Sequence, residues 1–220
     1  MKILESYFDI QKWKLFSGIV LANLLLLWFS QFALINETVF FNTYSDRLTY
    51  ERSMELFTGM RTYSWTGYIF TPLLLLTKFF ILSLVIFTGI FFMDLEKKIT
   101  LGSVFKVVIA SEIVFVFASA AKLLWFLFFA GNYTLDDMGF FYPLSLINLF
   151  NRNEVASYWI YPLQMVNIFQ VAYILTLAAG LSVICKVKRV ITDRIIMITY
   201  LPAVALWTVL VMFLTINVTP

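Results

Sequence analysis

Five stretches of this chain are apolar over about 20 residues or more, and a bilayer core about 30 Å thick takes about 20 helical residues to cross. They are Leu15–Ile35, Tyr68–Met93, Val104–Phe129, Ile160–Ile184 and Ile195–Ile216. A water-soluble fold of 220 residues needs far more polar surface than this chain supplies. Only 13% of its residues are charged, 61% are hydrophobic, and the mean hydropathy is +0.88. With lipid as solvent that conflict disappears. The fold class expected is therefore all-α: one polytopic membrane bundle over residues 1–220, with about five transmembrane helices. The second, third and fourth stretches exceed the minimum, which implies tilt or an interfacial turn. Lys2, Lys12 and Lys14 precede the first stretch as they would in a signal peptide. Its apolar run is too long for one and no small-residue cleavage site follows, so it reads as an uncleaved first helix.

Charge placement gives an orientation. With the N-terminus inside, segments 1–14, 94–103 and 185–194 face the cytoplasm. They hold Lys2, Lys12, Lys14, Lys97, Lys98, Lys186, Lys188, Arg189 and Arg194, nine basic residues in 34 positions. The outer segments 36–67, 130–159 and 217–220 hold Arg47, Arg52, Arg61 and Arg152, four in 66 positions. The positive-inside rule then predicts N-in, C-out. Trp13 inside, with Trp65 and Trp159 outside, fits the preference of amphipathic rings for the headgroup level. The expected location is the inner (plasma) membrane of a bacterium, or an endomembrane in a eukaryotic cell. Of the outer segments, 36–67 is polar with a short helix around Ser45–Phe57. Segment 130–159 contains the apolar run Phe140–Phe150, too short to span and expected to lie in the interface or dip into the bundle. The short inner loops predict two antiparallel hairpins, helix two with three and helix four with five.

Ionisable residues inside a membrane are costly and each needs a reason. Lys106, in the first turn of the third stretch, can snorkel to headgroups. Lys78 and Lys122, counted from the ends of their stretches, fall at similar outer depth. Either they snorkel and pair structurally, or they share an anion: Asp136, Asp137, Glu37, a lipid phosphate or a substrate. Glu112 lies deep in the third stretch among Ile113, Val114, Phe115 and Val116. At that depth a carboxylate either pairs with a group from another helix or keeps its proton. It is either a structural acid or a proton- or cation-coupling site. Gln164, Asn167 and Gln170, followed by Thr176, place amides along one face of helix four, for interhelical bonding or a wet cavity. Ala172, Thr176 and Gly180 form a small-residue seam for close packing on the same helix. Pro72 and Pro202 fall near helix ends, where proline costs little.

Several function classes are excluded by composition. The chain has no histidine and one cysteine, Cys185. That removes HExxH zinc sites, Ser–His and Cys–His nucleophile pairs, and multi-cysteine metal sites. There is no glycine-rich phosphate loop, and a net charge of +3 without a basic run is no nucleic-acid footprint. No catalytic residue, metal ligand or cofactor is expected. Three Asn-x-Thr sequons, at Asn36, Asn132 and Asn217, all fall on the outer side and hug a boundary; they do not define a secretory-pathway protein.

Phe105-Lys106-Val107-Val108, Val166-Asn167-Ile168-Phe169, and Ala178-Ala179-Gly180-Leu181 leading into Lys186-Val187-Lys188-Arg189 resemble the Yip family of five-helix membrane proteins over about residues 100–216. The resemblance implies a five-helix N-in, C-out bundle without settled enzymatic activity. Its eukaryotic members are linked to Rab GTPases and vesicle traffic; the long outer segment 36–67 departs from them. Two functions follow as expectations. The first is a non-catalytic membrane component binding the lipid bilayer and membrane-protein partners, or a second copy of itself. The second is a small permease or exporter subunit using Glu112, Lys78 and Lys122.

Overall fold

The computed structural model of the chain describes residues 2–95 and 99–218, with side chains from residue 6 onward; Lys97, Lys98, Thr219 and Pro220 lie outside the described residues. The described chain is helical throughout. Its elements are α1 (Lys2–Asp9), α2 (Lys12–Phe29, continued by a π-helical turn over Ser30–Leu34), α3 (Glu37–Tyr44) and α4 (Tyr50–Thr62). There follow α5 (Trp65–Phe92), α6 (Leu101–Ser111), α7 (Ile113–Phe128), α8 (Leu135–Phe140), α9 (Ser157–Met165), α10 (Ile168–Cys185) and α11 (Arg189–Val218). Five spans are long and apolar enough to cross a membrane: Lys12–Leu34, Trp65–Phe92, Leu101–Phe128, Ile168–Cys185 and Arg189–Val218. That is the architecture of an integral membrane protein.

The third span is the hub. α6 packs against α1, α2, α5 and α10, and α7 against α2 and α10. Val104 and the run Val107–Ser111 are wholly enclosed, so α6 is apolar all round because it has no lipid-facing side there. α5 pairs with α6, α10 with α11, and α11 with α5 and α9. α1 is a short amphipathic element folded under the hub. Its Phe8 is 1% exposed, and the Tyr7 hydroxyl donates to the Ala110 carbonyl at 2.8 Å. Positive-φ residues end two of the long helices: Asp94 follows α5 and Lys186 caps α10. Residues 35–64 and 129–156 gather at one end of the bundle, where the Tyr133 hydroxyl reaches the Leu34 carbonyl and the Leu135 N–H reaches Thr43. This is the loop-rich end.

Three expectations about helices change. Helix four is not one helix over 160–184: it breaks at Val166–Asn167 into α9 and α10. The apolar run Phe140–Phe150 covers the break. The Leu146 N–H donates to the Val166 carbonyl at 2.9 Å and the Ile168 N–H to the Leu144 carbonyl at 3.2 Å. The freed backbone groups are thereby paired, the condition for irregular backbone inside a membrane protein. Helix five begins at Arg189, not Ile195, so Pro202 sits mid-helix. The Arg189–Asp193 ion pair at 2.7 Å supports that extra turn. Finally, the third span carries a local defect at Glu112, whose N–H bonds the Ile109 carbonyl, a 3₁₀-type i→i−3 link between α6 and α7.

Of the expected small-residue seam, Gly180 makes the tightest approach. A Cβ there would stand 2.7 Å from the Phe8 ring and 2.8 Å from Val107. Ala172 and Thr176 are half-buried, and the Thr176 hydroxyl bonds back to the Ala172 carbonyl. Because Phe8 and Val107 are themselves enclosed, neither has room to yield. Gly180→Ala should therefore lower stability in detergent by about 1–3 kcal/mol, the usual cost of overpacking. Gly18→Ala, where a Cβ meets nothing within 4 Å, should leave the thermal midpoint unchanged or raise it slightly, because alanine is the better helix former. Equal midpoints for the two variants would show that α1 does not dock on α10 in this way.

Candidate functional site

α5 has 28 residues and the third span has 28, each about 42 Å long, so each overhangs a 30 Å core by about 6 Å at either end if centred. Lys78 lies 13 residues from Trp65 and 14 from Phe92. That puts its Cα about 14 Å inside the hydrocarbon from either side. Glu112 lies 11 residues from Leu101, about 10 Å inside. Antiparallel packing of α5 on α6 brings the two together: Lys78 Nζ stands 2.6 Å from Glu112 Oε1. The same ammonium sits 4.8 Å from the centre of the Phe115 ring, a cation–π contact on the next turn of the hub.

Glu112 is 3% exposed. The kink at its own position turns it into a group of aromatic and amide side chains. Phe115 packs on Tyr173 at 4.6 Å between ring centres, and Tyr173 on Tyr200 at 5.6 Å. Gln170 donates to the Tyr200 hydroxyl at 2.7 Å. Tyr142, from the run that covers the α9–α10 break, also feels the Glu112 charge. Burial first, then Glu112 and Tyr161, push its phenol up to about 12, so it stays a neutral hydroxyl. Four buried polar atoms in and beside this cluster have no hydrogen-bond partner: Glu112 Oε2, Tyr173 Oη, Gln170 Oε1 and Ser111 Oγ. Such a set is costly in a dry interior. Its chemistry is to hold one charge pair at mid-depth, with one carboxylate oxygen left free to accept.

The structure sorts the expected site residues into three places. Lys78, Glu112 and Gln170 come together in the cluster. Gln164 and Asn167 do not join them, so the three amides are not one strip. Asn167 caps α10, its Oδ1 accepting from the Gln170 N–H at 2.7 Å and its Nδ2 donating to the Gln164 carbonyl at 2.8 Å. Gln164 Nε2 donates to the carbonyls of Gly139 and Phe140. Both amides stitch the break shut. Lys122 stands apart, ten residues from Glu112 on the same span, about 15 Å along the axis. It does not share an anion with Lys78. Two of its expected loop partners are held elsewhere, since Arg152 bonds both Asp136 and Asp137, and the third, Glu37, opens α3 and is not among the residues that line the space around Lys122. Burial pushes the Asp137 carboxyl up, but Thr134 and Arg152 outweigh it and hold it below the ordinary carboxylate value. Tyr173, Tyr200 and Tyr142 join the site without any sequence signal that marks them, since an aromatic in an apolar run looks the same whether it faces lipid or a buried acid.

No family model, curated protein or solved structure matches the chain. Among the described residues no three acidic or cysteine side chains converge as a metal site.

A buried ion pair is destabilised most when one partner is removed and the other keeps its charge. Lys78→Met and Glu112→Met should each lower stability by about 3 kcal/mol in equilibrium unfolding from mixed micelles. The double variant should return to within about 1 kcal/mol of the parent, since it leaves no uncompensated charge. Glu112→Gln, which keeps a hydrogen-bond acceptor for Lys78, should cost less than Glu112→Ala. Additive single losses would mean the two side chains do not act as a pair.

Proposed function

We propose that the protein is a non-catalytic, Yip-like integral membrane component that binds a partner chain within the bilayer, oriented N-in and C-out with its loop-rich end outside. One observation carries the proposal. Glu112 is enclosed, but 44% of the Lys78 side chain is exposed on the outer wall of the bundle. A lysine stem reaches about 6 Å, and Lys78 lies about 14 Å from either boundary. It cannot snorkel out. On a solitary bundle the exposed flank of this paired side chain would lie against hydrocarbon beside Leu74 and Ile81, which are 64% and 56% exposed. A neighbouring helix that brings an acceptor to Lys78 removes that cost. Positive-inside charge supports the orientation, and the sequence segments named above support the kinship.

A permease or exporter subunit is the second reading. It draws on the free Glu112 Oε2 and the unpartnered Tyr173 hydroxyl beside it. Burial of Glu112 in a contact between helices favours the first. Photocrosslinkers at positions 74 and 81 in living cells decide between them. The expected result is one protein adduct of defined mass, weakened in Lys78→Met. Positions 206 and 213 on α11, also exposed, serve as lipid-facing controls. Lipid adducts alone at all four positions, together with proton-driven flux in proteoliposomes that Glu112→Gln abolishes, would replace the partner reading with the permease.

The orientation has its own test. In a Cys185→Ser background, cysteines placed at Asp46 and Glu154 should react with an impermeant thiol reagent on intact cells. A cysteine at Arg189 should react only after lysis. The reverse pattern would invert the assignment.

A further inference from the structure

Besides the mid-membrane pair, the bundle holds a second polar place. A cavity of about 370 Å³ opens between the halves of α2, α5 and α7 nearest the loop-rich end, floored by Met138 of α8. Among its lining residues are Asn23, Ser30, Thr71, Ser119 and Lys122, and no carboxylate. Lys122 is half-buried there. Among the described residues it has no ion pair and no hydrogen bond, and no carboxylate lines the space around it. The nearby acid on α8, Asp137, is held by Thr134 and Arg152. The hydroxyls of Ser30 and Ser119 are likewise without partners among the described residues. The cavity therefore gathers one uncompensated cation and two free O–H donors.

Depth says what kind of anion can arrive. Lys122 lies six residues from Phe128, about 9 Å, or about 3 Å inside the hydrocarbon boundary once the overhang is taken off. A lysine stem of about 6 Å spans that distance. The same arithmetic that isolates Lys78 thus puts the Lys122 ammonium at headgroup level. We infer that this cavity is a binding site for a phosphate group carrying net negative charge, supplied by an anionic phospholipid of the leaflet at the loop-rich end. Lys122 pairs with the phosphate, Ser30 and Ser119 donate to its oxygens, and the apolar wall formed by Leu26, Leu27 and Leu123 takes the start of an acyl chain. The site does not depend on a partner at the Lys78 face.

The test uses the purified full chain in detergent, titrated separately with phosphatidylglycerol, phosphatidylcholine and inorganic phosphate. Retained lipid is counted by native mass spectrometry and the thermal midpoint is followed. Phosphatidylglycerol should bind and raise the midpoint; phosphatidylcholine should do so far less. Lys122→Gln should weaken phosphatidylglycerol binding about fivefold, the contribution of one basic residue at an anionic headgroup. Lys122→Arg should retain binding within about twofold. Ser119→Leu, which narrows the cavity and leaves the charge, should show a loss like that of Lys122→Gln. Lys106→Gln, at the opposite end of the span, should bind as the parent does. Competition by inorganic phosphate that depends on Lys122 would keep the anion site and assign it to a free anion instead of a lipid. Unchanged phosphatidylglycerol binding in Lys122→Gln, or an equal loss in Lys106→Gln, would overturn the site.

Discussion

The fold is organised by one requirement: in lipid, every polar group must find its partner within protein or at the headgroups. The Lys78–Glu112 pair meets it at the hardest place, the middle of the bilayer. Neither residue could be there alone. A carboxylate enclosed at 3% exposure has no water to solvate it, and an ammonium at that depth has no headgroup within reach. Held at 2.6 Å, the two cancel as charges while fixing the register of α5 on the hub. A slip of one helical turn, about 5 Å, would separate them and leave two buried ions. Removing either partner would leave an uncompensated charge, so the pair penalises a wrong register whatever its net contribution to stability.

The same requirement explains the irregular segment at the loop-rich end. Breaking α9 from α10 exposes N–H and C=O groups that the helix would have used. Asn167 satisfies the start of α10, Gln164 ties two carbonyls of the α8 turn, and the run around Ser145 pairs its backbone with Val166 and Ile168. The same run carries Tyr142, whose phenol is pushed up by burial first and by the Glu112 charge after it.

Sequence carries the architecture because length and hydropathy alone decide whether a helix can cross lipid, and the five stretches are unambiguous on both counts. It carries Glu112 because an acid amid Ile113, Val114, Phe115 and Val116 has no surface to reach. It does not carry the partner so readily. Lys78 and Glu112 are 34 residues apart, and their meeting depends on helix register. Counting depth from a loop-side boundary set at Tyr68 aligned Lys78 with Lys122. Counting from the α5–α6 hairpin puts Lys78 14 residues and Glu112 11 residues from it, similar depths on antiparallel helices. The break in helix four also left a signal. Asn167 with Gln170 three positions on is an N-cap pattern inside an apolar run. Hydropathy reads straight through it, because both half-helices are apolar on average. What sequence could not give is which polar atoms end without partners, since Tyr173 Oη and Gln170 Oε1 are stranded by packing and not by residue type.

Lys78 and Lys122 show why depth, and not residue identity, assigns a role inside a membrane. Both are lysines on apolar helices and both interrupt long hydrophobic runs. One lies about 14 Å from either boundary and the other about 3 Å from one of them. A stem of about 6 Å separates the two cases sharply. The deep lysine must be neutralised by protein, which Glu112 does. The shallow lysine can be neutralised by the bilayer itself, and among the described residues that line its cavity there is no carboxylate. Had a carboxylate stood at Ser119, on the Lys122 side of the cavity, the ammonium would be satisfied internally and an arriving anion would be repelled. Hydroxyls stand around it instead, and those of Ser30 and Ser119 can donate to an anion without competing with it.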